Sequence, residues 1–252
     1  MIEFPNGNKY KLIYLDTNVI NEIAKNTRFC GKNFWKNKCN DYMYVTSAFN
    51  IYELSKAKNE SRNKIIEIFD IIPLGVISTF PQLLEFEEIN PKFDYRMIMF
   101  ATGMKPLFNT QFHDMIKICD TPETRNSIEL MQTNIRNEID ECNIFRDSCK
   151  IKDTNKRVNK IIENTLDKYN KRYIKSKYRS LEVLSSIKDK FIFVKKDEIT
   201  QNSVIDYWNT SVLPYVDEYI TERTVASWIN ELKIKYDYLK DKKIYKISEF
   251  FN

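Results

Sequence analysis

Lys11-Leu-Ile-Tyr-Leu-Asp16-Thr17-Asn18-Val19-Ile20 is an apolar run that ends on a carboxylate and turns at once into helical spacing. Lys11 to Leu15 has the β-branched and aromatic content of a short buried strand. From Thr17 onward Ile20, Ile23 and Ala24 fall on one face, so a helix is predicted to Lys25, capped by Asp16 or Thr17. An acid between a strand and the helix after it sits at the C-terminal rim of an α/β sheet, where such sheets bind ligands.

Outward from this stretch the pattern repeats. Met43–Thr46 reads as a second strand, and Ser47 caps a helix running to about Lys58 with Glu53 in its second turn. Helical spacing follows over 61–71, then a third strand at Leu74–Ser78, then a helix with Pro81 in its first turn. Alternation of this kind predicts an α/β fold, a mainly parallel sheet with helices on both faces. From Pro91 to Lys190 the signals are mainly helical, broken most clearly at Gly103–Pro106. Val158, Ile161, Ile162, Leu166, Tyr169 and Tyr173 form one amphipathic stripe there. Strands return at Val216–Thr221 and Lys243–Ser248, around a helix carrying Val225, Trp228, Ile229 and Leu232. Phe191–Val194 reads as a further strand. The expected organisation is one α/β domain, 1–90 and 191–252, interrupted by a helical insertion, 91–190, that is basic toward its C-terminal half.

Composition narrows the chemistry. The 252 residues are 42% hydrophobic and 30% charged, with no apolar run long enough to span a membrane. The N-terminus lacks a basic segment followed by an apolar one, so a cytoplasmic protein without a signal peptide is expected. The five cysteines, Cys30, Cys39, Cys119, Cys142 and Cys149, form no C-x-x-C pair and read as free thiols. His113 is the single histidine, which argues against zinc and against histidine acid–base catalysis. Charge is uneven: 150–190 holds 13 basic and 5 acidic residues, against 27 and 30 in the rest. A basic segment is a footprint for phosphate backbones or simply a solvated helix face.

Asp16 and Glu53 are joined downstream by Asp206, Asp217 and Glu222. Carboxylates converging from separate elements would suit a hard divalent cation, which needs neither His nor Cys. Each acid also has a plainer reading. Asp16 and Asp206 could be caps, Glu53 a solvated helix residue, Asp217 the partner of a nearby cation, and Glu222 an acid favoured at a helix N-terminus.

Ile13-Tyr-Leu-Asp16-Thr17-Asn18-Val19-Ile20 resembles the opening motif of PIN-domain ribonucleases. Ser47-Ala-Phe-Asn50-Ile-Tyr-Glu53-Leu54 resembles their second motif. Asp206-Tyr-Trp-Asn-Thr-Ser-Val-Leu-Pro214-Tyr215-Val-Asp217-Glu-Tyr-Ile-Thr221-Glu222 resembles the third and fourth motifs of a PIN-like subgroup. The resemblance covers roughly 11–91 and 203–251. It implies a Rossmann-like, three-layer fold with a five-stranded sheet, and a metal-dependent endoribonuclease using Mg²⁺ or Mn²⁺. Asp16, Glu53, Asp206 and Glu222 would be the metal-binding quartet, with Asp217 a fifth acid at the rim. Thr17, Asn18 and Thr221 would support them by hydrogen bonds. By the same analogy the chain is a toxin or defence effector acting on RNA, with an antitoxin or regulatory partner and a homodimeric state. Two departures stand out: Glu222 replaces the usual aspartate, and the insertion is long.

Lys171, Arg172, Lys175, Lys177 and Arg179, interleaved with Tyr169, Tyr173 and Tyr178, would grip RNA phosphates and stack on bases, or the tyrosines pack against their neighbours. A non-catalytic PIN-like module binding RNA or protein is the alternative. An aspartyl-phosphate enzyme is disfavoured, since no second Asp follows Asp16 two residues on.

Overall fold

The computed structural model describes residues 1–5, 7–25, 42–55, 59–69, 74–89, 95–101, 114, 121–195 and 197–250. Cys30, Cys39, His113, Cys119 and the Gly103–Pro106 break lie outside them.

The protein is α/β, with a mainly parallel sheet between helical layers, as a Rossmann-like three-layer fold has. Its strands are β1 (Ile2–Glu3), β2 (Lys9–Leu15), β3 (Tyr42–Ser47), β4 (Leu74–Ile77), β5 (Ile98–Ala101), β6 (Glu218–Thr221) and β7 (Lys243–Lys246). They lie in the order β5-β4-β3-β2-β6-β7. Five run parallel, β5 pairs antiparallel at one edge, and β1 pairs antiparallel with the start of β2. From β2 the chain steps outward one way to β3 and β4 and later the other way to β6 and β7. The boundary between β2 and β6 is therefore a topological switch point, where a crevice opens at the C-terminal strand ends.

Helices α1 (Thr17–Lys25), α2 (Ala48–Ser55) and α3 (Asn59–Phe69) cover one face. Strand pleating divides the burial: Ile13 and Leu15 pack with Val19, Ile20, Ile23 and Phe69, while Leu12 and Tyr14 point into the opposite core. That second layer is built from α4 (Phe80–Ile89), α5 (Pro122–Ser148), α6 (Thr154–Lys168), α7 (Arg179–Phe193), α8 (Gln201–Asn209) and α9 (Arg223–Lys235). Tyr14 and Tyr219, partners in register on β2 and β6, stack at 4.7 Å and seal the sheet at the switch point. Gly75 on β4 has no room for a side chain: a Cβ would meet Met43 at 2.5 Å. A short α10 (Ile247–Phe250) follows β7.

Three expectations are corrected. Phe191–Val194 is the end of α7, not a strand. This helix is buried on nearly every side, Val183, Ile187, Phe191 and Ile192 included, so no polar stripe marks its period. The span 91–190 contains a strand, β5, and its helices form a layer of the sheet's own core. Lastly, the amphipathic stripe does not continue to Tyr173. Helix α6 stops at Lys168, Asn170 takes a left-handed φ of 53°, and Lys171 N–H reaches back to Leu166 O at 3.0 Å. No helix among the described residues is long and apolar enough to cross a membrane.

Candidate metal centre

A cleft of about 540 Å³ opens at the C-terminal rim of the sheet, and four carboxylates line it. Asp16 follows β2, Glu222 follows β6, Glu53 comes from α2 after β3, and Asp206 from α8. Four separate elements thus deliver one acid each.

Asp16 is nearly buried, at 6% exposure. It occupies the cap position of α1, where its carbonyl accepts from Ile20 N–H at 3.1 Å. Its carboxylate accepts from Thr17 N–H at 2.7 Å and from the Thr221 hydroxyl at 3.5 Å. Burial, with the charges of Glu53 and Glu222 added, pushes its pKa up to about 7. Asp206 is pushed up to about 8 by burial and then by the charges of Asp16 and Glu222.

The first turn of α1 also holds the flanking acids. Thr17 donates its hydroxyl to Glu53 Oε2 at 2.5 Å, and Asn18 donates its amide to Glu222 Oε1 at 2.7 Å. Thr17 therefore supports Asp16 through its backbone alone, and Asn18 supports Glu222 rather than Asp16. Glu222 precedes α9 but makes no side-chain cap to it.

Beneath the cleft lies a buried polar network that sequence reading missed. Asn50, fully buried, donates to Thr46 Oγ1 at 2.8 Å, Tyr14 Oη at 3.1 Å and Leu15 O at 3.2 Å, and accepts from Asn209 Nδ2 at 3.2 Å. Thr46 donates to Leu15 O at 2.9 Å. These bonds tie β3, α2 and α8 to the peptide that carries Asp16. The available signal was an asparagine one turn before Glu53 on an otherwise apolar face. Lys195, which also lines the cleft, was hidden by the misread 191–194 run.

Asp217 is not in the cleft. It precedes β6 where Glu222 follows it, and a four-residue strand separates the two ends by about 13 Å. Its carboxylate accepts from Leu12 N–H at 2.9 Å and pairs with the N-terminal ammonium at 3.0 Å. The basic loop is likewise remote. Arg179 stacks over Tyr238 at 5.2 Å and neighbours Lys242, itself close to Asp217. Lys195 beside the cleft lies past the other end of α7, about 22 Å of helix away. Lys171 is paired with Glu88, and Lys177 lies over the Tyr178 ring. Tyr178 is 1% exposed and so closed to a base, the hydroxyl of the half-buried Tyr173 is committed to Glu182 at 2.7 Å, and Tyr169 is exposed. Arg172 and Lys175 share that loop and its distance from the acids.

Cys142 is buried and Cys149 partly so, both free thiols. Among the described residues, no three carboxylate, His or Cys side chains are close enough to form a ready-made metal cage. Asp16, Glu53 and Glu222 each accept from a neutral donor in the first turn of α1. Comparison with protein-family models, curated proteins and solved structures gives no match.

Proposed function

We propose that this chain is a metal-dependent endoribonuclease whose chemistry takes place at the carboxylate cleft. One observation carries the reading: Asp16, Glu53, Asp206 and Glu222 converge from four elements at the switch point, where burial and mutual repulsion push Asp16 and Asp206 up to about 7 and about 8. A bound cation relieves that repulsion. The lining offers carboxylate, amide and hydroxyl oxygens without His or Cys, which fits Mg²⁺ or Mn²⁺.

Asp16 and Asp206 would hold the ion, with Glu53 and Glu222 ligating directly or through water. Once bound, it supplies Lewis-acid stabilisation of charge on a phosphodiester. The chain's own residues do the rest. Thr17 and Asn18 fix the flanking acids, Thr221 orients Asp16, and a carboxylate of the cleft accepts the proton of the attacking water. RNA as the substrate follows from the motif resemblance, as do a toxin or defence role, an antitoxin or regulatory partner, and a homodimer.

The experiment is cleavage of labelled tRNA and an unstructured oligonucleotide with Mn²⁺, Mg²⁺ or EDTA. Asp16→Asn is expected to lower the rate by about a thousand-fold. Equal rates in the variant, or cleavage in EDTA, would remove the metal mechanism. A second reading, a non-catalytic binding module, draws support from the lack of a ready-made cage among the described residues. It predicts no Mn²⁺ binding by calorimetry.

A further inference from the structure

We propose that Lys195 is a catalytic residue of this cleft, the cation that faces the non-bridging oxygens of the scissile phosphodiester from the wall that it forms with α8. The inference rests on the nuclease reading and deepens it by naming the group that meets the phosphate.

Lys195 lines the same cleft as Asp16, Glu53, Asp206 and Glu222. Its positive charge is felt at Asp206, where it opposes the upward shift. Yet among the described residues no carboxylate lies within ion-pair distance of its ammonium, in contrast to Lys168, Lys171, Lys188 and Lys190, each paired with a glutamate. It is held instead by neutral contacts. Its N–H donates to Lys190 O at 2.9 Å, and its ammonium lies 5.3 Å from the centre of the Phe191 ring. Phe191 is itself fixed in the core, edge-on to Trp228 at 5.1 Å. A cation mounted on a rigid aromatic and left unpaired beside four acids is placed for a ligand that carries its own negative charge. Thr200 and Ser203 also line the cleft, where their hydroxyl oxygens accept from each other's backbone N–H at the start of α8, and neither carries a positive charge.

In the hydrolysis, a water oxygen forms the new bond to phosphorus. The bond to the leaving ribose oxygen breaks with its electron pair. One proton of the water passes to that oxygen and the other to a cleft carboxylate. The Lys195 side chain offsets the charge that builds on the non-bridging oxygens.

The test compares wild type, Lys195→Ala and Lys195→Arg, with Asp16→Asn as reference, on three readings. These are single-turnover cleavage of single-stranded RNA with Mn²⁺, anisotropy of a 2′-O-methyl oligonucleotide kept intact by EDTA at several salt concentrations, and Mn²⁺ calorimetry. Lys195→Ala should slow cleavage about 100-fold, and Lys195→Arg should recover about a tenth of the wild-type rate. Oligonucleotide binding by Lys195→Ala should weaken about three-fold, with a salt slope lower by about one. Mn²⁺ binding should instead tighten about two- to five-fold, because a like charge has left the cleft. A misfolded variant would lose both ligands, so the opposite signs are diagnostic.

Wild-type cleavage by Lys195→Ala, with Asp16→Asn inactive, would overturn the inference and leave the nuclease reading standing. A wild type that neither cuts RNA nor binds Mn²⁺ would overturn both. Mn²⁺ binding gained only in Lys195→Ala would make Lys195 the acids' resident counter-ion, which also overturns the proposal.

Discussion

Two groups of acids are withdrawn from water in this protein, and their surroundings differ. Under the helical layer, Asp189 takes two hydrogen bonds from Arg157, at 2.7 and 3.0 Å, and Glu138 pairs with Lys188. Glu182 accepts from Tyr173, Ser176 N–H and Tyr238 at 2.7, 2.7 and 3.0 Å. The attraction of Lys188, with further donors, carries Glu138 below the ordinary carboxylate range despite its burial. Among the described residues at the sheet rim, the acids have neutral donors, one another and one unpaired lysine, and Asp16 and Asp206 move upward instead. Burial is shared by the acids under the helical layer and by Asp16 at the rim, whereas Glu222 is exposed. Asp189 and Glu138 receive a counter-charge from Arg157 and Lys188, whereas among the described residues Asp16 and Asp206 have no cation within ion-pair distance.

The largest effect should come from breaking an internal pair. Arg157→Leu strands Asp189 without its cation, removes a contact with the Phe193 ring, and should cost about 3–5 kcal/mol in urea unfolding. A loss under about 1 kcal/mol would mean that Asp189 finds water and that the two groups are less distinct than their contacts indicate.

The second prediction concerns pH without divalent cations. Asp16 and Asp206 bind protons more tightly in the folded than in the unfolded chain, so the folded state holds more protons between about pH 4 and 8. Stability should therefore fall as pH rises through this window, by about 3 kcal/mol for each of the two acids from pH 5 to pH 8. Glu87, also pushed up to about 7 by burial, contributes with the same sign. The double variant Asp16→Asn, Asp206→Asn should flatten most of the slope, and Glu87→Gln only part of it. Saturating Mn²⁺ at pH 8 should recover the lost stability in wild type. A slope unchanged in the double variant would locate the proton uptake elsewhere.

The smallest effect sharpens the contrast between the two ends of one strand. Asp217→Asn weakens the tether to the N-terminal ammonium and should cost about 1 kcal/mol in urea unfolding. RNA cleavage should stay within two-fold of wild type. A thousand-fold loss would return Asp217 to the chemistry.

What the sequence revealed and what it hid divide along physical lines. Strand-then-acid at Leu15–Asp16 and an acid one turn into a capped helix at Glu53 are local patterns, and local patterns placed both residues correctly. Asp206 and Glu222 were also read into the cleft that the structure shows. Asp217 failed because it and Glu222 flank the same short strand, and the residues between them do not say which end faces the rim. Phe191–Val194 failed because a helix buried all round loses the polar–apolar period that identifies helices. For Tyr173 and Tyr178 the packed alternative is the one the structure shows, and composition alone could not distinguish it from a ring that stacks on a ligand.

Thr17 and Asn18 have a consequence beyond support. Their two side chains reach opposite ways from one helical turn and grasp acids contributed by distant segments of the chain. Three consecutive residues thus act as the gauge of the whole mouth: Asp16 marks its floor, and its two successors set the span between the jaws. A change at either successor would widen that span while leaving every charge in place, and a census of acidic residues would register no difference.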